Sequence, residues 1–305
     1  MPADTRLGDE VTGNGGAAVL AQIVRLLRPK EWVKNAFVIA PLFFTPNAVS
    51  RNNCLLVLFG AMLFCAASSA VYVLNDLMDC EADRLHPKKR YRPVASGAVK
   101  PWQAAIIGTV FGIVALSGGF FLSVKFGTYL AAYLVINAGY SFGLKTISIL
   151  DILLIAVGFV IRVFAGATLI GGTPSPWIII ATGLISLFLA AGKRRDDLVQ
   201  QLDSNHRSSL TGYSIEFLDT LIAIILGTLI VSYLMYTTSE EVMQRLSSRH
   251  LYVTSAFVVA GIFRYLQLAM VARTSGSPTD VVLRDRFIFL TMIGWLFTFG
   301  YFVYG

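Results

Sequence analysis

Long apolar blocks separated by short polar ones dominate this chain. They fall near residues 31–46, 54–75, 102–124, 126–142, 149–170, 176–192, 214–237, 251–271 and 287–304. Most are long enough to cross a hydrocarbon core of about 30 Å as helices. The first is short and the fourth marginal, so the pattern predicts nine spans, with eight as the alternative. The blocks are too long and continuous for barrel strands, and lipid forces backbone groups to bond within their own segment. The expected fold class is an all-α integral membrane protein, a bundle of nine transmembrane helices forming one domain over residues 17–305.

Ahead of the first block, residues 17–28 (AAVLAQIVRLLR) set Gln22, Arg25 and Arg28 three apart, opposite Val19, Leu20, Ile23, Val24 and Leu27. That spacing predicts an amphipathic helix on the membrane surface, ended by Pro29. Residues 1–16 hold Asp4, Asp9 and Glu10 among glycines and a proline and lack an apolar h-region. They read as a disordered tail rather than a signal peptide.

Composition agrees with this class. Of 305 residues, 55% are hydrophobic and 14% charged, where soluble domains carry about a quarter charged. Charge also orients the chain. With the N-terminus inside, the inner segments hold 19 of the 25 Lys and Arg residues. Arg51, Lys125, Arg245 and Arg249 fall outside, and Arg162 and Arg264 lie within spans. This asymmetry predicts a cytoplasmic N-terminus, with the loop after the second block also cytoplasmic, in an inner (plasma) membrane. The net charge of +7 is thus mainly a topology signal, and no nucleic-acid partner is implied. Cys54, Cys65 and Cys80 are scattered and odd in number, which implies neither a disulfide framework nor a zinc site.

One stretch exceeds what topology asks for: NDLMDCEADRLHPKKRYRP, residues 75–93. If the second span continues as a helix to about Asp83, then Asn75, Asp76, Asp79 and Asp83 share an arc roughly 100° wide and about 12 Å long. Glu81 falls on the far face. Carboxylates at a helix C-terminus oppose the macrodipole and repel each other at i,i+4, so a cation is needed. Oxygen ligands of this kind suit Mg²⁺ held together with substrate phosphates, with Mn²⁺ as an alternative. The basic residues that follow (Arg84, Lys88, Lys89, Arg90, Arg92) suit an anion, Arg as a fork and Lys as a point charge. The plain alternative is a helix end that neutralises itself through ion pairs. His86 reads as a loop residue with no metal role.

The pattern N-D-x-x-D-x-x-x-D followed by R-x-x-P-x-K-R-x-R-P resembles the first signature of the UbiA prenyltransferase superfamily. The resemblance runs from RPKEWVKN (28–35) to the C-terminus. It implies a nine-span bundle whose active site opens to the cytoplasm and takes a Mg²⁺–diphosphate substrate. On this resemblance Asp79 and Asp83 are metal ligands, Asp76 is a third ligand or a partner to them, and Asn75 serves the phosphate–metal assembly.

Typical aromatic prenyltransferases of the superfamily carry a second acidic signature after span six. Here GKRRDDLVQQLDSNHRSSLTGYS (192–214) sets Lys193, Arg194 and Arg195 before adjacent Asp196 and Asp197, with Asp203 displaced. The departure shifts this site from metal-binding acid toward anion-binding base. With YSFGLK (140–145), Asp151…Arg162-V-F-A-G, IFRY (262–265) and LRDR (283–286), it resembles the superfamily's phosphoribosyltransferase branch. That branch joins phosphoribosyl diphosphate to a polyprenyl (decaprenyl) phosphate and releases diphosphate, in cell-wall arabinan precursor synthesis.

The branch implies Lys89, Arg90 and Arg92 on the donor phosphates, with Lys34, Tyr140, Lys145, Lys193 and Arg194 completing the rim. Arg162 lies deep in a span, where a charge is costly, and is expected to hold a substrate phosphate or else to pair with an acid. Arg264 can snorkel and is expected to be structural. Asp280, Arg284, Asp285 and Arg286 either cap the site or pair among themselves.

The implied chemistry suits these residues. The ribosyl C1 leaves diphosphate through an oxocarbenium-like state, and cations stabilise the leaving group. A phosphate monoester acceptor is already anionic, so no strong base is needed; His206 and His250 are poorly placed to be one. Two other functions remain open: a UbiA-type polyprenyltransferase alkylating a 4-hydroxybenzoate-like aromatic acceptor, and a non-enzymatic transporter or channel. The latter would set ionisable groups near the midplane rather than at a rim. Membrane lipids surround the chain in each case, and a homo-oligomer is compatible with all three.

Overall fold

The computed structural model describes residues 12–201, 212–271 and 284–304, and no strand occurs among them. The helices are α1 (Thr12–Leu27), α2 (Ala40–Phe43), α3 (Arg51–Met78), α4 (Cys80–Leu85), α5 (Pro101–Leu122), α6 (Val124–Ser141), α7 (Leu150–Leu169), α8 (Pro176–Gln201), α9 (Ile215–Thr238), α10 (Glu240–Arg245), α11 (Ser255–Leu266) and α12 (Arg286–Tyr304). A 3₁₀ segment, Pro29–Val38, follows α1, and a π-helical turn, Gln267–Val271, follows α11. The helix expected over 17–28 thus begins earlier, and Pro29 ends it as expected. The N-terminal tail lies outside the described residues as far as residue 11.

Among the described residues, seven helices are long and apolar enough to cross a membrane: Arg51–Met78, Pro101–Leu122, Leu150–Leu169, Pro176–Val199, Ile215–Thr238, Leu251–Val271 and Arg286–Tyr304. The chain is a multi-pass membrane protein. Two of the nine apolar blocks take other forms. The first folds as the 3₁₀ segment and α2, because Pro41 and Pro46 lack the N–H a continuous helix needs. The fourth is α6, a full helix whose Lys125, Asn137 and three tyrosines dilute its apolar surface.

Helix starts follow local chemistry. Ser123, Ser214 and Asp285 accept from the N–H groups of Phe126 (3.3 Å), Phe217 (3.1 Å) and Ile288 (3.0 Å), capping α6, α9 and α12. Pro101 and Pro176 open α5 and α8, where a missing N–H is harmless.

The chain divides into two compact units. One comprises Met1–Ala36 with Phe59–Phe142. Here the 3₁₀ segment is laced to α3: Trp32 Nε1 donates to Ser69 Oγ (3.0 Å), which donates to the Leu27 carbonyl (2.9 Å). Leu26, Val73, Val94, Val99 and Ala104 form a core beneath this join. The other unit comprises Phe37–Leu58 with Gly143–Gly305. Its most buried helix is α7, which packs on α2 and α8. Gly166 is required there: a Cβ would lie 1.9 Å from the Val38 carbonyl oxygen. Phe188, Leu218, Ile222, Leu226 and Tyr265 fill the core of α8, α9 and α11.

Candidate active site

In the first unit the acidic signature straddles the end of α3. The period is kept past Met78, since Asp79 N–H bonds the Asn75 carbonyl (3.0 Å) and Asp83 N–H the Asp79 carbonyl (2.8 Å). Asp79 itself leaves helical geometry (φ −93°, ψ 3°), and α4 resumes beyond it. The expected continuation to Asp83 holds, with one irregular residue. Asp76 and Asp83 are buried, at 1% and 3% exposure, while Asn75 and Asp79 are half-buried.

Buried carboxylates need partners. Arg92 Nη1 spans both, 2.6 Å from Asp83 Oδ2 and 3.2 Å from Asp76 Oδ1. The Arg28 guanidinium also bonds Asp76 Oδ1 and lies 5.0 Å from the Tyr72 ring centroid. Asp76 Oδ2 is buried with no hydrogen-bond partner. Lys34 is drawn to Glu31, which accepts from Tyr72 Oη (3.3 Å). Of the three residues expected on donor phosphates, Arg92 meets the aspartates. Arg90 is exposed and turned onto Tyr91, its guanidinium carbon 4.9 Å from that ring centroid, and Lys89 N–H bonds His86 Nδ1 (3.2 Å). His86 thereby organises the turn, as a loop residue should.

Among the described residues no three or more His, Cys, Asp or Glu side chains are drawn together as a ready metal cage. Arginines hold Asp76 and Asp83, the first and last of the three aspartates expected on the metal. The residues still fit a divalent cation: their donors are hard oxygens, and one buried Asp76 oxygen has unused acceptor capacity.

The second unit holds a separate polar network. Arg194 Nε donates to Asp151 Oδ2 (2.6 Å) and Nη1 to Asp197 Oδ2 (3.4 Å). The Tyr213 hydroxyl donates to Asp151 Oδ1 (2.5 Å) and accepts from the Ile149 N–H (2.6 Å). Ile149 sits at φ 70°, costly for a β-branched residue, and that bond helps hold it there. Gly212 passes so close that a Cβ would lie 2.0 Å from Ser148 Oγ. Burial first, and the Asp151 bond second, push Tyr213 up to about 12, so it remains a donor.

The remaining predicted residues divide by role. Lys193 is exposed, and Lys145, in the 3₁₀ turn Leu144–Thr146, is half-buried. Tyr140, in the last turn of α6 in the first unit, is half-buried too. Arg162 is buried, donates to the Gly158 carbonyl (2.9 Å) and lies 5.2 Å from the Phe159 ring centroid. Arg195 pairs with Asp219 and bonds the Ala269 carbonyl (2.9 Å), tying α8 to α9 and the π-helical turn. Arg264 pairs with Asp285 (2.8 Å), a bond that holds the Asp285 carboxyl below the usual range. Arg264 is thus the structural residue expected, and ion pairing accounts for Asp285. Asp203, His206 and Asp280 lie outside the described residues.

Arg28 and Tyr213 were not foreseen as site residues. Each sat inside a quoted motif, RPKEWVKN and SLTGYS. The available signal was the acid opposite: a buried aspartate at a helix end demands a cation or a donor.

Comparison with known proteins adds three findings. The UbiA prenyltransferase family matches residues 36–201. The decaprenyl-phosphate phosphoribosyltransferase of Mycolicibacterium smegmatis is 28% identical over 98% of each chain, and that of Corynebacterium glutamicum is 30% identical over 90% of this chain and 84% of its own. Among solved structures, a UbiA homologue from Archaeoglobus fulgidus bound to GPP and Mg²⁺ superposes with a TM-score of 0.68 at 18% identity, covering 90% of this chain and 96% of that one. That last likeness shows a shared fold.

Proposed function

Because the chain belongs to the UbiA prenyltransferase family, we propose that it is a transferase moving 5-phosphoribosyl from phosphoribosyl diphosphate to a polyprenyl phosphate such as decaprenyl phosphate, with release of diphosphate. The observation that carries this reading is similarity along nearly the whole chain to enzymes named for that reaction. The network of the second unit supports it, since an arginine fixed by Asp151 stands where an acidic metal signature would otherwise be expected.

In this reading Asp79 and Asp83, with Asp76, hold Mg²⁺ or Mn²⁺, and Asn75 serves the same assembly. Bound there, the ion would offset negative charge gathering on the departing diphosphate. The chain's own cations do the rest. Arg92, with Lys89 and Arg90 nearby in sequence, offers forked and point charges to the donor phosphates. Lys34, Tyr140, Lys145, Arg162, Lys193 and Arg194 serve the phosphates of donor and lipid, Arg194 with its Nε fixed by Asp151. The acceptor phosphate is already anionic, so positioning and electrostatics suffice without a general base. The acids face the cytoplasm across an inner membrane, and the product feeds cell-wall arabinan precursors.

The test is direct. Purified protein with Mg²⁺, labelled phosphoribosyl diphosphate and decaprenyl phosphate should place label in the lipid phase. Asp79→Ala and Asp83→Ala should insert normally yet lower turnover by roughly 10²-fold or more, the scale of losing one preorganised charge-stabilising group. No labelled lipid, together with prenylation of 4-hydroxybenzoate from a prenyl diphosphate, would instead establish the aromatic polyprenyltransferase.

A further inference from the structure

Arg28 is the residue whose geometry that reading leaves unexplained. It occupies the left-handed region at φ 52°, an uncommon place for a side-chain-bearing residue and one that persists where surroundings enforce it. Both sides are pinned to α3, through the Leu27 carbonyl behind it and Trp32 ahead, each bonded to Ser69 Oγ. The turn thereby aims a long cation at Asp76, with the Tyr72 ring beneath its guanidinium.

The charges on Asp76 are lopsided. Arg28 and Arg92 both bond Oδ1, while Oδ2, equally buried, has no partner. The strongest arginine–carboxylate pairs lay the fork across both oxygens. Here two cations crowd one oxygen, and an acceptor is kept open on the other. A divalent ion arriving at Oδ2 would repel Arg28, whose side chain is 23% exposed and has room to leave. The displaced guanidinium then needs an anion, and the diphosphate that travels with the ion is one.

We propose that Arg28 is an exchangeable counter-ion: it holds Asp76 while the site is empty and passes to the donor's diphosphate when a divalent cation takes the carboxylate. This rests on the metal assignment above. Cation and diphosphate then bind with positive coupling, since each favours the same displaced position of Arg28.

The full chain in detergent, titrated calorimetrically, tests the exchange with two probes: Mn²⁺ alone, and inorganic diphosphate at saturating Mg²⁺. In Arg28→Gln, Mn²⁺ alone should bind about tenfold tighter and diphosphate about tenfold more weakly, within the usual range of coupling between two ligands. Unchanged affinities, or a loss in both titrations, would overturn the proposal. Should Arg28→Gln fail to accumulate folded, Arg28→Lys carries the test. It keeps the charge and so the wild-type Mn²⁺ affinity, but without the fork it should lose diphosphate affinity; wild-type diphosphate binding would sink the exchange. Asp76→Asn and Asp79→Asn separate the two levels. If they leave Mn²⁺ binding intact, the metal assignment fails and the exchange with it. If they abolish it while Arg28→Gln changes nothing, the exchange alone fails.

Discussion

A single hydroxyl settles the geometry of Asp151. With Arg194 on one oxygen and Tyr213 on the other, the buried carboxylate is met on both sides. Tyr213 is raised to about 12 from an ordinary value near 10. A raised value means the protonated form is favoured by folding, so its contribution is complete below about pH 10 and is lost as pH climbs through the raised value. Tyr213→Phe should cost about 1–3 kcal/mol near neutrality by leaving Asp151 Oδ1 unmet. Thermal melts of wild type and variant should then converge between pH 10 and 12; curves that stay parallel would refute the assignment. Local spacing exposed Asp76, Asp79, Asp83 and Arg92, because a signature within nineteen positions is visible in any window. It hid Arg28 from Asp76 and Tyr213 from Asp151, which lie 48 and 62 positions apart. Periodicity says nothing about such pairs. They follow from how helices pack.

At the level of helices, apolar period located the principal spans, and the continuation past Met78 followed from the same count. What the period missed was interruption. Asp79 leaves helical geometry between two bonded turns, and the first apolar block, broken by prolines, never forms a span-length helix. Contact between α7 and the end of the 3₁₀ segment was equally invisible, since Gly166 in an apolar run looks like any small residue. Its role appears only when the Val38 carbonyl is found against it. Gly166→Ala should therefore destabilise the second unit by about 1–3 kcal/mol, the usual cost of overpacking. Thermal unfolding in detergent will measure it, and an unchanged melting temperature would mean the two backbones can separate freely.

Across the whole molecule, large apolar side chains stand exposed along the helices, Phe121 at 88%, Phe297 at 76% and Leu290 at 65%. Such surface would aggregate in water and belongs in lipid. Polar groups are gathered instead in small sets of paired charges. The two buried carboxylates of the first unit face two guanidiniums, so their burial is compensated by the polypeptide itself. Folding of this kind should make no demand on a metal, unlike that of a zinc finger, which unravels when stripped. Excess EDTA should leave helical circular dichroism and melting temperature unchanged while silencing turnover; loss of helicity would show that an ion is part of the scaffold. On the proposed metal assignment, a cell starved of the divalent cation would hold intact, idle enzyme, ready to resume as supply returns.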